Sequence, residues 1–250
     1  MVFSPLEQFQ IYPIFQLSLG LFDISITNAA VLFLLTVFST LFLLYSLGTE
    51  NTMFLVPNRV QYFFELLYET TSDLLSGIVG PTGKYYFPYV FTIFTFILTA
   101  NVIGLVPYSF TVTSHLIVTL ALALMTFIAI NIIGVKKHGF DFISFFLPPG
   151  QSVELAFLLV PVELISYIFR PISLSVRLFA NMMAGHTLLK VIAGFAYSMV
   201  LAGGGLLIAH FIPLVILVLL MFLEFMVALI QAYIFTILTC LYLNDAINLH

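Results

Sequence analysis

The sequence carries very little charge. Asp, Glu, Lys and Arg make up 7% of its 250 residues, whereas hydrophobic residues make up 62%. A water-soluble domain of this length needs much more polar surface, so the composition excludes one and indicates an integral membrane protein. Only seven residues are Lys or Arg, and they form no basic patch, which excludes nucleic acid as a partner.

Cysteine is also scarce. Cys240 is the single cysteine and lies in an apolar run, which excludes a disulfide framework and a thiolate metal cluster. No group of residues has metal-ligand spacing, and we expect neither a metal nor another cofactor. The N-terminus has no basic stretch, so we expect no cleaved secretory signal.

Long apolar runs predict about five membrane-inserted helices, since about 20 apolar residues cross the hydrocarbon core. Between the first two runs, Asn58–Ile78 mixes charged and apolar side chains, which predicts an amphipathic helix along one membrane surface. Asn101 and Asn131 lie inside spans and are predicted to form hydrogen bonds between helices. The chain is therefore predicted to be an all-α integral membrane protein. The predicted spans are Ile24–Thr49, Phe87–Val106, Ser114–Val135, Glu154–Val200 and Ile208–Leu243.

We expect one membrane domain in three parts. Residues 1–84 hold the first span and the amphipathic helix, 85–150 form a helical hairpin, and 151–250 form a polar, channel-forming hairpin. Pro107–Ser109 is predicted to be a turn and Phe140–Gly150 a loop. The arms of the last hairpin are long: about 40 residues make roughly 60 Å of helix, twice the hydrocarbon thickness. We therefore expect that hairpin to be strongly tilted or bent.

The lysines and arginines of the loops predict the topology. Lys136 and Lys137 close the third span, and Arg59 and Lys84 lie between the first and second. If each run crosses once, these loops share one face, and the opposite loops contain no Lys or Arg. The positive-inside rule places Lys136 and Lys137 inside and the N-terminus outside, so five crossings put the C-terminus inside.

Two arginines lie in the most apolar part of the chain. Arg170 and Arg177 are seven residues apart, and an arginine at bilayer depth costs at least about 2.5 kcal/mol on insertion scales. Arginine cannot discharge itself, so it needs a function or a counter-charge. For Arg177 the alternative to a functional role is an internal salt bridge with Glu163 or Glu224. Arg170 either supports the site or anchors the helix near Pro171, with Glu163 as a possible partner.

Further polar residues of the last hairpin fall into layers around a turn centred on Gly204. Distances are counted in residues along the sequence from Gly204. His186 lies 18 residues before it and Glu224 lies 20 after it. Arg177 and Gln231 are each 27 residues away, and Glu163 and Asp245 are each 41 residues away. An antiparallel hairpin would bring each pair to a similar depth. The topology places the first pair on the outer side and the third on the inner side, with a fixed cation between them. His186 is nine residues after Arg177, about 180° round the helix, and should point away from it.

These segments resemble subunit a of F-type ATP synthases. The resemblance covers nearly the whole chain and is carried by Ser173–His186 (SLSVRLFANMMAGH), Ile103–His115 (IGLVPYSFTVTSH), Glu224 with Ile230–Thr236 (IQAYIFT), and Tyr242–Ile247 (YLNDAI). The start, Ser4–Phe9 (SPLEQF), resembles the mitochondrial form, and the central loops resemble bacterial members. The resemblance implies a multi-pass protein of the inner mitochondrial membrane, with the bacterial plasma membrane as the alternative.

The resemblance also implies a mechanism. The family member is a stator that embraces a rotating ring of c subunits and works with a peripheral stalk and the other ATP synthase subunits in lipid. It has no catalytic activity of its own, and it conducts protons. Arg177 matches the family's essential arginine. The remaining matches are His186 and Glu224 for the outer half-channel, Glu163 and Asp245 for the inner half-channel, and Asn181 and Gln231 for polar positions near the arginine.

Two other function classes compete with this interpretation. A self-contained ion-coupled secondary transporter predicts inverted repeats and a substrate site at broken helices, and the sequence shows neither. A purely structural assembly subunit leaves the charges within the apolar segment unexplained. Reconstitution alone, compared with reconstitution together with a c ring, separates the three classes.

Overall fold

The protein is helical, as predicted. The computed structural model describes residues 4, 6–16, 18–19, 22–23, 25–49, 57–106, 109–139, 153–204 and 206–248. The predicted loop Phe140–Gly150 lies outside these residues, as do Pro107 and Tyr108 of the predicted turn. The helices are α1 (Asn28–Thr49), α2 (Arg59–Ile78), α3 (Phe87–Gly104), α4 (Leu116–His138), α5 (Val153–Ala202), α6 (Leu206–Ala209) and α7 (Phe211–Ile247).

Five described helical segments are long and apolar enough to cross a membrane, which confirms the predicted number of spans. They are Asn28–Tyr45, Pro81–Gly104, Leu116–His138, Leu159–Ala202 and Phe211–Ile247. Pro161 and Pro171 lie inside α5 without ending it, although each removes a backbone donor. The tilt of the last hairpin relative to a membrane stays a prediction.

A short strand region precedes the first span, where the sequence predicted helix from Ile24. β1 (Pro13–Phe15) pairs antiparallel with β4 (Ile26–Thr27), and β2 (Ser18–Leu19) pairs with β3 (Phe22–Asp23). The helix begins later because Asn28 Oδ1 accepts hydrogen bonds from Ala29 N at 2.9 Å and from Tyr12 N at 3.1 Å. This side chain therefore satisfies a free amide of the first turn, as helix caps do.

The amphipathic helix α2 has the predicted bounds. Asn58 caps it by accepting a hydrogen bond from Arg59 N at 2.7 Å. Its buried residues, Leu67, Thr71 and Leu75, recur every four residues on one face. Gly80 follows in the left-handed region (φ 77°), a conformation that favours glycine and breaks the helix. The position of α2 along a membrane surface stays a prediction.

The chain forms two compact units. Unit 1 comprises Met1–Tyr45, Phe96–His115 and Leu178–Ala232, and unit 2 comprises Ser46–Thr95, Leu116–Arg177 and Tyr233–His250. Each of the three parts expected from the sequence contributes to both units, because residues distant in sequence meet when long helices run antiparallel.

Each unit has its own contacts between helices. In unit 1, the Phe33 and Phe96 rings meet edge-on at 6.3 Å, and Asn101 Nδ2 donates to the Ala228 carbonyl at 3.2 Å. In unit 2, one buried hydrophobic cluster contains Leu75, Val79, Val90, Cys240, Leu243 and Ile247. The thiol of Cys240 is free and packs as a small apolar group.

The basic end of α4 is joined to the end of α7 within unit 2. Lys137 Nζ donates to the Ile247 carbonyl at 3.1 Å, and His138 Nε2 lies 2.9 Å from the same oxygen. Cationic donors satisfy helix C-terminal carbonyls and complement the helix dipole. The end of the third span and the end of the last one are therefore on the same side, as the predicted topology requires.

Candidate functional site

The turn of the last hairpin depends on glycine. Gly203 and Gly204 both have positive φ values, 68° and 61°, which other residues rarely adopt. The turn ends α5 and allows α7 to return antiparallel to it. The side chains of the two helices then meet in two polar groups, one in each unit.

The outer polar group of unit 1 contains His186 and Glu224. His186 Nδ1 lies 3.6 Å from Glu224 Oε1, and the side chains are 15% and 6% exposed. This pair was predicted from the sequence. His186 Nε2 and Glu224 Oε1 are buried without a hydrogen-bond partner among the described residues. The pair thus presents two atoms that are able to exchange a proton.

Glycine at position 185 allows this pair to form. A Cβ on Gly185 would lie 2.6 Å from Glu224 Oε1 and 3.0 Å from its Cδ, both closer than van der Waals contact allows. Glu224 therefore packs directly on the backbone of α5. Gly185 was not among the site residues predicted from the sequence. Its position next to His186 was the available signal, but the close approach itself depends on the packing of α7.

Asn181 and Gln231 form a second contact in unit 1. Asn181 Nδ2 donates to Gln231 Oε1 at 2.9 Å, and Gln231 is buried. The sequence instead placed Gln231 level with Arg177, four residues before Asn181. Nearby, Asn101 binds the Ala228 carbonyl of α7, which confirms its predicted role in a hydrogen bond between helices.

Unit 1 also contains a polar segment before α4. Thr111, Thr113 and Ser114 are buried, and the His115 ring stacks on Phe110 at 4.9 Å. Burial lowers the pKa of His115, because a charged imidazole would lose its hydration.

The inner polar group of unit 2 is built around Arg170. Its guanidinium Nη1 lies 3.1 Å from Asp245 Oδ2. The Tyr167 and Tyr242 rings lie 5.2 and 5.1 Å from the guanidinium carbon, within the range of cation–π attraction. Arg170 thus has a counter-charge and two aromatic neighbours in its own chain. The spacing could have predicted the rings, because Tyr167 and Tyr242 each lie three residues before a charged residue of the pair.

The predicted layer of Glu163 with Asp245 is corrected by this pair. Asp245 contacts Arg170, which is seven residues nearer the turn than Glu163. Glu163 is half-buried, and its side chain has no hydrogen bond or ion pair with a described residue. Possible pairing of Arg170 with Glu163 is therefore not observed.

The corrections share one physical cause. Helical side chains lean toward the N-terminus of their own helix, so those of α5 lean away from the turn and those of α7 lean toward it. Contacting residues on α7 must therefore lie farther from the turn than their partners on α5. The offset is small for His186 and Glu224, larger for Asn181 and Gln231, and largest for Arg170 and Asp245.

Arg177 differs from Arg170 although both are arginines of α5. Arg177 is exposed, and its side chain has no hydrogen bond or ion pair with any described residue. The alternative of an internal salt bridge with Glu163, which lies in the same unit, is not observed. His186 is largely buried, whereas Arg177 is exposed, as their spacing on the helix predicts.

Metal ligands do not cluster in the described part of the chain, where no group of three or more His, Cys, Asp or Glu could hold a metal ion. The polar groups described above are suited to exchanging and stabilising protons and charges.

Comparisons with known proteins identify the family. A family model described as ATP synthase A chain matches residues 30–244. ATP synthase subunit a of Pylaiella littoralis is 57% identical over 247 residues, which are 99% of this chain and 99% of the relative. The subunits a of Chondrus crispus and Rhodospirillum rubrum are 48% and 47% identical, each over 99% of this chain and 97% and 99% of the relative. The chain therefore belongs to the ATP synthase A chain family.

Proposed function

We propose that the chain performs its family's task, proton transport coupled to ATP synthesis, as the stator facing a rotating ring of c subunits. Five spanning helices and two polar groups on α5 and α7 support this proposal. A secondary transporter would need a substrate site at broken helices, whereas α5 and α7 run unbroken past their polar residues.

The observation that carries the proposal is the contrast between the two arginines. Arg170 is paired with Asp245 within the chain, whereas Arg177 is exposed and unpaired among the described residues. A permanent cation in a spanning helix requires a counter-charge. For Arg177, we propose that a carboxylate of the c ring supplies it as each c subunit passes.

The outer access path would run through His186 and Glu224. Both side chains can donate or accept a proton, and the pair lies between two spanning helices. The positive-inside topology places this pair on the side opposite Lys136 and Lys137. A proton that arrives here neutralises a ring carboxylate, which can then rotate into the lipid.

The inner release path would run through Glu163 and Asp245. Asp245 is held by Arg170, whereas Glu163 has no partner among the described residues. We therefore propose that Glu163 accepts the released proton and that the Arg170–Asp245 pair shapes the path beside it.

Arg177 would drive the release. A charge pair near 4 Å at an effective dielectric constant of 20 is worth about 4 kcal/mol, or about three pKa units. This is enough to favour the ionised form of the ring carboxylate facing Arg177. The same fixed cation would repel protons and prevent a direct leak between the two paths.

We further propose that the chain resides in the inner mitochondrial membrane and contacts a peripheral stalk, other ATP synthase subunits and lipid. The N-terminal segment Ser4–Phe9 and the 57% identity to the Pylaiella littoralis protein support the mitochondrial location. The bacterial plasma membrane is the alternative, since the Rhodospirillum rubrum relative is 47% identical.

The test replaces Arg177 in the assembled complex. In inverted membranes, Arg177→Ala should abolish ATP synthesis and ATP-driven proton pumping while allowing passive proton flux. Arg177→Lys should not restore coupling, because lysine lacks the planar fork and can deprotonate when desolvated. Subunit content controls for assembly. Normal ATP synthesis by an assembled Arg177→Ala complex would contradict the proposed role.

A second experiment separates the function classes. The purified chain should conduct no protons when it is reconstituted alone. It should conduct protons only when it is reconstituted together with a c ring. Transport by the isolated chain would favour the secondary transporter.

A further inference from the structure

One polar residue of α4 contacts the inner polar group without belonging to any path described so far. Asn131 Oδ1 accepts a hydrogen bond from the Tyr167 hydroxyl, and Asn131 Nδ2 donates to the Phe127 carbonyl at 2.9 Å. The second bond fixes the orientation of the amide, so its oxygen points at the phenol. All three residues belong to unit 2.

The Tyr167 ring is held on its face as well as at its hydroxyl. Its centroid lies 4.9 Å from that of Phe127, one helical turn before Asn131 on α4. The same ring lies 5.2 Å from the guanidinium carbon of Arg170. Contacts therefore run without interruption from α4 through Tyr167 to Arg170, and from Arg170 to Asp245.

We propose that Asn131 is a positioning residue for proton release: through Tyr167, it keeps Arg170 on Asp245 and away from Glu163. This inference rests on the proposed function, in which Glu163 accepts the released proton.

The competition between two carboxylates gives Asn131 this role. Glu163 lies two helical turns before Arg170 on the same face of α5, about 10 Å along the axis. It has no partner among the described residues, so it is an available counter-ion for a displaced guanidinium. Pairing with Arg170 would hold Glu163 as a carboxylate and slow proton transfer through it.

Tyr242 provides a matched control. Its ring also lies over Arg170, at 5.1 Å, but its hydroxyl makes no hydrogen bond with a described residue. Tyr242→Phe keeps the ring and loses a hydroxyl without a hydrogen bond to a described residue, so it should cost less than Tyr167→Phe. Tyr167→Phe also keeps its ring but loses the bond to Asn131, so a comparison of the two phenylalanine variants tests that bond.

A second control removes a polar group elsewhere on α4. Thr126 Oγ1 donates to the Ala123 carbonyl at 2.8 Å and is buried. Thr126→Val loses this bond at nearly constant volume and removes no hydrogen bond of Asn131, Tyr167, Arg170 or Asp245. It measures the effect of weakening α4 in general.

The experiment measures proton-driven ATP synthesis by the assembled complex in inverted membranes, as a function of the outer proton concentration. Asn131→Leu and Tyr167→Phe should each lower the maximal rate by about threefold to tenfold, the effect of one net hydrogen bond. The outer proton concentration at half-maximal rate should not change, because the His186–Glu224 pair is untouched. Thr126→Val should resemble the wild type, and Tyr242→Phe should lose less than Tyr167→Phe.

Double variants test the route through Tyr167 and Arg170. Adding Asn131→Leu to Tyr167→Phe, or to Arg170→Lys, should cause no further loss, because each partner variant has already removed the contact. Three results would each overturn the inference. The first is a double variant whose rate falls by the product of the two single losses, and the second is a normal maximal rate for Asn131→Leu. The third is a change in the outer proton concentration at half-maximal rate.

Arg177→Ala, measured in the same membranes, keeps the two proposals distinguishable. If that variant still couples proton flow to synthesis, the proposed function fails. If it does not, and Asn131→Leu behaves as the wild type, only the role of Asn131 fails.

Discussion

Replacing Gly185 by alanine places a methyl group against the Glu224 carboxylate. The added carbon would lie 2.6 Å from Oε1, 3.0 Å from Cδ and 3.2 Å from Cγ. Carbon atoms pack at about 3.5–4.0 Å, so the carboxylate must retreat from α5 by roughly 1 Å. His186 also lies on α5, and this retreat therefore lengthens the His186–Glu224 pair from its present 3.6 Å.

The cost follows from the geometry. Losing the contact between His186 Nδ1 and Glu224 Oε1, now 3.6 Å long, costs about 1 kcal/mol, the net value of one hydrogen bond. The clash itself adds little, because Glu224 Oε1 is the end of a flexible side chain that can move away from α5. Since about 1.4 kcal/mol corresponds to a tenfold change, Gly185→Ala should slow proton uptake from the outer side by at least about fivefold.

The assay is ATP-driven proton pumping and ATP synthesis in inverted membranes, normalised to the amount of assembled complex. Gly194 supplies the matched control, because it also lies on α5 and a Cβ there meets nothing within 4 Å. Gly185→Ala and Gly194→Ala raise the helix propensity of α5 by a similar amount. The difference between their rates therefore measures the effect of the clash alone.

A compensating change sharpens this test. Glu224→Asp removes one methylene and should recover part of the rate in the Gly185→Ala background, since the shorter side chain can withdraw its carboxylate. A wild-type rate for Gly185→Ala, or an equal loss in Gly194→Ala, would refute the reasoning.

Three further perturbations have definite expected outcomes. Glu224→Gln should reduce proton-driven ATP synthesis by at least about tenfold in an intact complex, because an amide cannot relay a proton. In Glu224→Cys, the thiol should react with an impermeant thiol reagent added outside. Labelling only from inside would reverse the channel assignment. Asp245→Asn should lower the maximal rate of synthesis, because Arg170 loses its carboxylate and can turn to Glu163; an unchanged rate would contradict the role of the pair. Asn101→Leu should lower the free energy of unfolding by about 1–2 kcal/mol, the value of a buried hydrogen bond, measured as a lower melting temperature of the complex.

Helices and their polar faces could be predicted because their signals are local. Long apolar runs define the spans, and α2 shows its amphipathic pattern within 20 residues. The His186–Glu224 pair could also be predicted, since both residues lie close to the turn, where errors of register are small. The strands before α1 could not, because their pairing depends on contacts such as that of Asn28 with Tyr12.

Pairing farther from the turn was wrong by a systematic amount. Counting residues assumes that side chains leave their helices at right angles, whereas they lean toward each helix's N-terminus. Gln231 therefore meets Asn181, and Asp245 meets Arg170. The correction is largest for arginine, whose side chain is the longest of these. Applying such an offset in advance would have brought both contacts within reach of sequence reasoning.

The different environments of Arg170 and Arg177 could not be predicted from the segment of sequence that contains them. The two arginines share one face of one helix and have equally apolar flanks. The difference lies on α7: Asp245 pairs with Arg170, whereas Arg177 has no hydrogen bond or ion pair with a described residue. A cation whose counter-charge is built into its own chain contributes to a fixed structure. An equally permanent cation without one must find its counter-charge on another molecule, and an exchange of such partners is what a rotating ring of carboxylates would provide.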